Sequence, residues 1–279
     1  MYLPILFREE LKSLVCSRRF LFSLTLIFLP AAIGAWFSHM LYRYPSIIAR
    51  MTGGWLTQVN PQICTMVYLE VAPLPIALIA IIHASDFIAG ERSRRTLSFL
   101  ACKPVARGEI LLGKYLSFLL IFLLLITLNM SLFAISLAIL RIGQIPSRIF
   151  LSYTVSLFCT GIVYVSICTL FSVLTTRTLV AILAGFLLLI TWYIFDWMIL
   201  YLPQNTAQIL EKFSLSYYAN RLVSYISNGK AALFLGGGLY LKVNLRDFFE
   251  SLIVVFGLLG IFPLVIAAVI LRKQDIHGH

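Results

Sequence analysis

The sequence predicts an all-α, polytopic membrane protein: six transmembrane helices, an N-terminal interfacial amphipathic helix and a short transverse helix between spans two and three. Three observations carry that prediction. Hydrophobic residues make up 61% of the chain and charged ones 12%, with mean hydropathy +0.96, whereas a soluble domain is about 45–50% apolar. Six apolar runs are long enough to cross roughly 30 Å of hydrocarbon. The charges gather at the ends of those runs, so the formal net charge of +11 reads as membrane topology and not as a nucleic-acid surface.

Residues 1–17 open the chain as the amphipathic helix. On a helical wheel Leu3, Phe7, Leu11, Leu14 and Val15 share one side, while Arg8, Glu9, Lys12 and Ser13 take the other, the pattern of a helix lying in the headgroup plane. The rival reading is a cleaved signal peptide with Ala32 and Gly34 at the cleavage site, and the acidic Glu9 and Glu10 argue against it. Arg18 and Arg19 close the segment, and the charge-free residues 20–37 form the first span. An outer loop over 39–62 is marked by Tyr42, Pro45, Gly53, Gly54, Trp55 and Pro61 as turn formers and interfacial aromatics.

The second span, 63–83, carries Glu70 and the pair Pro73 and Pro75, which are expected to bend it. Spans three and four, 115–140 and 149–176, are joined by a short turn containing Gly143 and Pro146. Arg177 alone is charged before the fifth span, 178–202, whose outer end gathers Trp192, Tyr193, Asp196, Trp197 and Tyr201 in the manner of an aromatic belt. The outer segment 203–250 reads as an interfacial helix followed by an apolar piece, 231–241, too short to span. The sixth span, 251–271, is stopped by Arg272 and Lys273. Thirteen Lys and Arg fall on the side of the termini and nine on the other, so both termini are expected in the cytoplasm, with the chain as a single transmembrane domain in the plasma (inner) membrane.

Motifs for chemistry are missing. The five cysteines, Cys16, Cys64, Cys102, Cys159 and Cys168, include no C-x-x-C pair, and neither H-E-x-x-H nor G-x-S-x-G occurs. Gly229-Lys230 falls short of a phosphate-binding loop, because Ser224 stands where the pattern needs glycine and Ala231 where it needs Ser or Thr. The chain is therefore expected to bind no cofactor or metal and to hydrolyse nothing itself.

A few polar residues inside the spans are candidates for lining a pathway: Glu70, Asn129, Ser152, Ser156 and Thr160. Glu70 lies about 10 Å below the outer end of its helix. Either it forms part of a polar cavity or ion site, or it snorkels or pairs with an arginine at the surface. Ser152, Ser156 and Thr160 recur every four residues beside Gly161, a spacing that favours close helix packing over a substrate wall.

The remaining charges concentrate in 84–114, ASDFIAGERSRRTLSFLACKPVARGEILLGK. Each charge at the bilayer centre would cost about 3 kcal/mol, so this segment is expected to project into water as a crossbar tied at both ends to spans. Ser93 or Thr96 can cap a short helix running through Cys102, with Leu97, Phe99 and Leu100 against the membrane base. Residues Asp86 to Thr96, followed by Leu97, Leu100, Pro104, Val105, Arg107, Glu109, Ile110, Gly113 and Lys114, resemble the signature of ABC type-2 transporter permeases. Ser93-Arg94-Arg95 departs from it, where relatives more often carry acidic or glycine residues.

The resemblance implies the membrane subunit of an ATP-driven exporter, with ATP and Mg held by a separate cytoplasmic ATP-binding subunit and a second permease copy or paralogue completing the pathway in the lipid bilayer. It also implies that the crossbar is a coupling helix. Ser93, Arg94, Arg95, Thr96, Leu97, Phe99 and Lys103 would meet the ATPase, while Asp86, Glu91 and Arg92 would pair at the base of the helices with the entry helix, for instance with Arg8, Lys12, Glu9 or Glu10. Two rivals remain at this stage: a secondary transporter or channel using Glu70, and a non-transporting assembly or sensor protein.

Overall fold

The structure is a computed structural model and describes residues 3–44, 46, 61–94, 107–227 and 244–273. The entry helix Leu3–Val15 turns at Ser17, whose hydroxyl accepts from the Phe20 amide at 3.1 Å and so caps the first span, Arg18–Arg43. That span runs beyond the expected end at 37 and takes in His39 to Arg43. Polarity alone does not stop a helix; the next breaker in the sequence is Pro45, which disfavours helical backbone at Tyr44. The second span comes in two pieces, Pro61–Val71 and Pro73–Ala84, with Ala72 between them. Pro73 and Pro75 have no N–H to give the carbonyls of Leu69 and Val71, which accounts for the break.

A turn over 85–88 leads into the short helix Ala89–Ser93. The third span, Arg107–Ile139, starts at Arg107 and not at 115. Glu109 and Lys114, read from the sequence as loop charges, therefore lie on the helix. The turn after it holds Arg141 at φ 57 and Gly143 at φ 137, and a side chain at Gly143 would press on Pro61 at the start of the second span. The fourth span is Ser147–Leu174 and the fifth Thr178–Leu200. Beyond it come Gln204–Leu210, a 3-10 turn and the far-end helix Leu215–Ile226. The expected apolar piece at 231–241 lies outside the described residues.

The last span begins at Leu245, earlier than the expected 251, because Asn244 and Asp247 form a capping box at its start. It runs as α-helix to Leu252, as π-helix over Ile253–Ile261 and as α-helix again over Phe262–Lys273. Six helices are thus long and apolar enough to cross a membrane, and among the described residues there is no strand.

The entry helix and the end of the sixth span both pack against the third span, at the end of the bundle called the base below. The entry helix packs along the third span, and the Arg272 guanidinium lies against Gly108. The fourth span sits at the centre, in contact with spans two, three, five and six and with the far-end helix. Its Gly161 receives the edge of the Phe122 ring so closely that no side chain would fit.

Candidate functional site

At the base, the turn following the second span is tied to four other helices. Lys114 reaches from the third span to Glu91 on the short helix at 3.1 Å and to Glu10 on the entry helix at 2.9 Å. Its side chain is only 10% exposed. An ammonium so placed is stable because two carboxylates offset the lost hydration. Asp86 pairs through one carboxylate oxygen with Arg19 of the first span and with Arg94, the latter at 2.9 Å. Its other oxygen lies over Gly90, where any side chain would collide with the carboxylate. Close by, His83 shares a hydrogen bond of 2.7 Å with Ser23 and stacks on Phe118.

The fourth attachment goes to the end of the fourth span. The Ser172 hydroxyl accepts from the amides of Ile88 and Ala89 at 3.0 and 2.9 Å and donates to the Ser85 carbonyl at 3.0 Å. Arg92 donates to the carbonyls of Val173 and Thr175 at 2.9 and 3.2 Å. These belong to the last turn of the fourth span, where carbonyls lack helical partners and the helix dipole favours a cation. Burial lowers the Arg92 guanidinium from its ordinary value, yet an arginine stays charged.

A turn with short, buried, directed bonds to neighbouring helices is suited to passing on displacement, not to chemistry. Among the described residues no three His, Cys, Asp or Glu side chains come together as a metal site. The family model for ABC-2 family transporter proteins matches residues 5–276, nearly the whole chain, far-end helices and base included. The chain belongs to the ABC-2 transporter family. No curated protein matches it. As an ABC-2 family member it is a multi-pass membrane permease of an ABC transporter, a membrane component in a family that works in general with an ATP-binding partner.

The residues singled out from the sequence of this ABC-2 permease fall in three groups. Asp86, Glu91 and Arg92 stand in the base joint, and they are not solvent projections as the charge of 84–114 suggested: pairing lets them sit half-buried. From the entry helix, the residue that reaches them is Glu10, through Lys114. Arg8 is exposed and Lys12 lies 3.9 Å from Glu9 on its own helix. Ser93 turns its hydroxyl back to the Gly90 carbonyl at 2.8 Å, and Arg94 is exposed apart from its bond to Asp86. Arg95, Thr96, Leu97, Phe99 and Lys103 lie outside the described residues.

Of the pathway candidates, Glu70 is half-buried and Asn129 fully buried beside Tyr68. Ser152 and Ser156 are buried inside the chain, the first bonded to the Ile149 carbonyl at 2.8 Å and the second to the Ala219 carbonyl of the far-end helix at 3.3 Å. Thr160 bonds the Ser156 carbonyl at 3.0 Å. Within this chain Ser156 is the member of the stripe whose hydroxyl is bonded to another helix.

Sequence reasoning missed Arg19, Lys114 and Ser172 as parts of the joint. Lys114 was legible as a charge at the edge of a span and as part of the family signature, without its partners, and a lone Ser172 in an apolar helix carries no signal at all.

Proposed function

We propose that this chain is the permease subunit of an ATP-driven exporter, a single transmembrane domain of the plasma membrane with both termini in the cytoplasm. Two copies, or one copy and a paralogue, form the pathway at their seam. A separate ATP-binding subunit, carrying ATP and Mg, grips the segment 84–114. The export direction rests on the resemblance of that segment to type-2 permeases. The coupling role is carried by the base joint, where the segment's first turns are bonded to the entry helix and to spans one, three and four. A partner that pushes on such a turn must move the bundle with it.

The test has two steps. The purified chain alone should show no ATP hydrolysis. Co-expressed with its ATP-binding subunit, it should co-purify with that subunit, and Arg94→Glu together with Arg95→Glu should abolish the association. Undiminished co-purification of the double variant would remove the segment from the docking surface and overturn the reading.

A further inference from the structure

At the base the fourth span differs from the other spans in holding backbone groups of the 85–89 turn through a serine hydroxyl. The ion pairs with Lys114 and Arg19 run through long side chains with several rotatable torsions, which pass a small displacement on less directly than a short side chain does. At the fourth span the Ser172 contact runs through a short one, beside the longer arm of Arg92. Ser172 has one torsion and holds two backbone amides and a backbone carbonyl of the 85–89 turn. Arg92 adds two bonds from its Nη1, to the carbonyls of Val173 and Thr175. A displacement of the turn therefore reaches the fourth span most directly.

At its other end the same helix carries the far-end helix. Ser156 donates to the Ala219 carbonyl, and the two helices pack along their lengths. Sixteen residues separate Ser156 from Ser172, roughly 24 Å of unbroken helix at 1.5 Å per residue. The far-end helix is in turn pinned to its surroundings. Asp196 at the end of the fifth span accepts from Ser214 and Ser216, the latter at 2.6 Å. Arg221 meets Asp247 at 3.5 Å and Glu250 at 3.4 Å on the sixth span, and Tyr225 stacks on Phe248 at 4.4 Å between ring centroids.

From this we infer that Ser172 and Arg92 are positioning residues that make the fourth span the rod through which movement of the 84–114 segment reaches the far-end helix Leu215–Ile226. The inference rests on the coupling reading and names its route: the turn, the second half of the second span and the fourth span move as one body, and the far-end helix is what they displace. The entry helix, held through Lys114, steadies the base while the rod moves.

The experiment uses the chain in complex with its ATP-binding subunit in lipid nanodiscs, and follows amide hydrogen exchange over 215–226 with and without ATP plus vanadate. In the unmodified complex the nucleotide should change that exchange. Ser172→Ala and Arg92→Ala should each abolish the change while the ATP-binding subunit still co-purifies, and Ser172→Thr, which keeps the hydroxyl, should restore it. Thr169→Ala serves as control, because the Thr169 hydroxyl bonds its own helix, at the Val165 carbonyl, and the change should survive there.

A nucleotide effect at 215–226 that persists in both alanine variants overturns the inference. So does an effect confined to the base in the unmodified complex, which leaves the coupling reading standing. Loss of the ATP-binding subunit from either variant also overturns it, by making the clasp part of the docking surface. No nucleotide effect anywhere in a complex shown to bind ATP brings down the coupling reading itself.

Discussion

The fourth and fifth spans are nearly equal in hydropathy, 2.2 and 2.3, yet over their most apolar 18 residues 67% of the first is buried inside the chain and only 17% of the second. Hydropathy states that a helix can enter a bilayer and nothing more. Between helices in lipid there is no hydrophobic force, so position in the bundle is decided by close packing and by hydrogen bonds. The fourth span carries Ser152, Ser156, Gly161, Ser166 and Ser172 on surfaces that meet other helices, with Tyr115 bonded to Ser166 at 2.8 Å and Phe122 seated on Gly161. The fifth turns Leu179, Leu183, Leu187 and Ile194 outward, as a helix bathed by lipid does. One is the centre of the machine and the other part of its wall.

That contrast can be broken most directly at Gly161. Replacing it by leucine drives a side chain into the Phe122 ring, and a cost on the order of 4 kcal/mol is expected where neither helix can yield. The outward-facing Leu183→Trp, at 60% exposure, should cost less than about 0.5 kcal/mol. Thermal unfolding in detergent would compare them, and similar melting shifts would mean that the fourth span is no more central than the fifth.

A somewhat smaller effect tests whether centrality extends to the charges at the base. Lys114→Met strands Glu10 and Glu91 in a half-buried site, and losses of about 3 kcal/mol are typical when one partner of a buried pair is removed. Lys12→Met, at a side chain 60% exposed, should stay within about 0.5 kcal/mol. The same pair of variants should separate in yield of monodisperse protein.

Next comes the loss of apolar contact. Leu157→Ala, at a residue 2% exposed, is expected to cost about 2–3 kcal/mol. Leu187→Ala, at 68% exposure, should be near neutral by the same unfolding assay, since no packed cavity is left behind.

The smallest difference sharpens the comparison instead of breaking it. Ser172→Ala should cost about 1–2 kcal/mol, the range of hydrogen bonds in membrane interiors, and should raise amide exchange at Ile88 and Ala89, whose N–H groups bond that hydroxyl. Thr191→Ala, whose hydroxyl bonds its own Leu187 carbonyl, should change neither stability nor exchange.

Much of the architecture was legible in advance because membrane insertion depends on composition over a window. Spans four and five were read within a few residues of their ends, and the helix at the N-terminus came from the side-by-side placement of Leu11 and Leu14. Boundaries failed where charge was taken for the end of a helix. Arg107 to Lys114 belongs to the third span although it lies beyond the apolar run, because helical hydrogen bonding continues wherever side chains find partners, and Lys114 finds two. At the base, Asp86, Glu91 and Arg92 were recognisable as pairing residues from their place beside a span. Their partners were not.

The sequence by itself determined that the chain lies in a membrane, how many times it crosses, and which polar stretch stands at the base, since each of these follows from local transfer energies. Tertiary structure alone decided that the fourth span is central and the fifth peripheral, that Ser172 holds the 85–89 turn, and that Lys114 lies between Glu10 and Glu91. Those facts depend on which groups approach within hydrogen-bonding distance across separations of up to a hundred residues, and neither hydropathy nor periodicity records proximity.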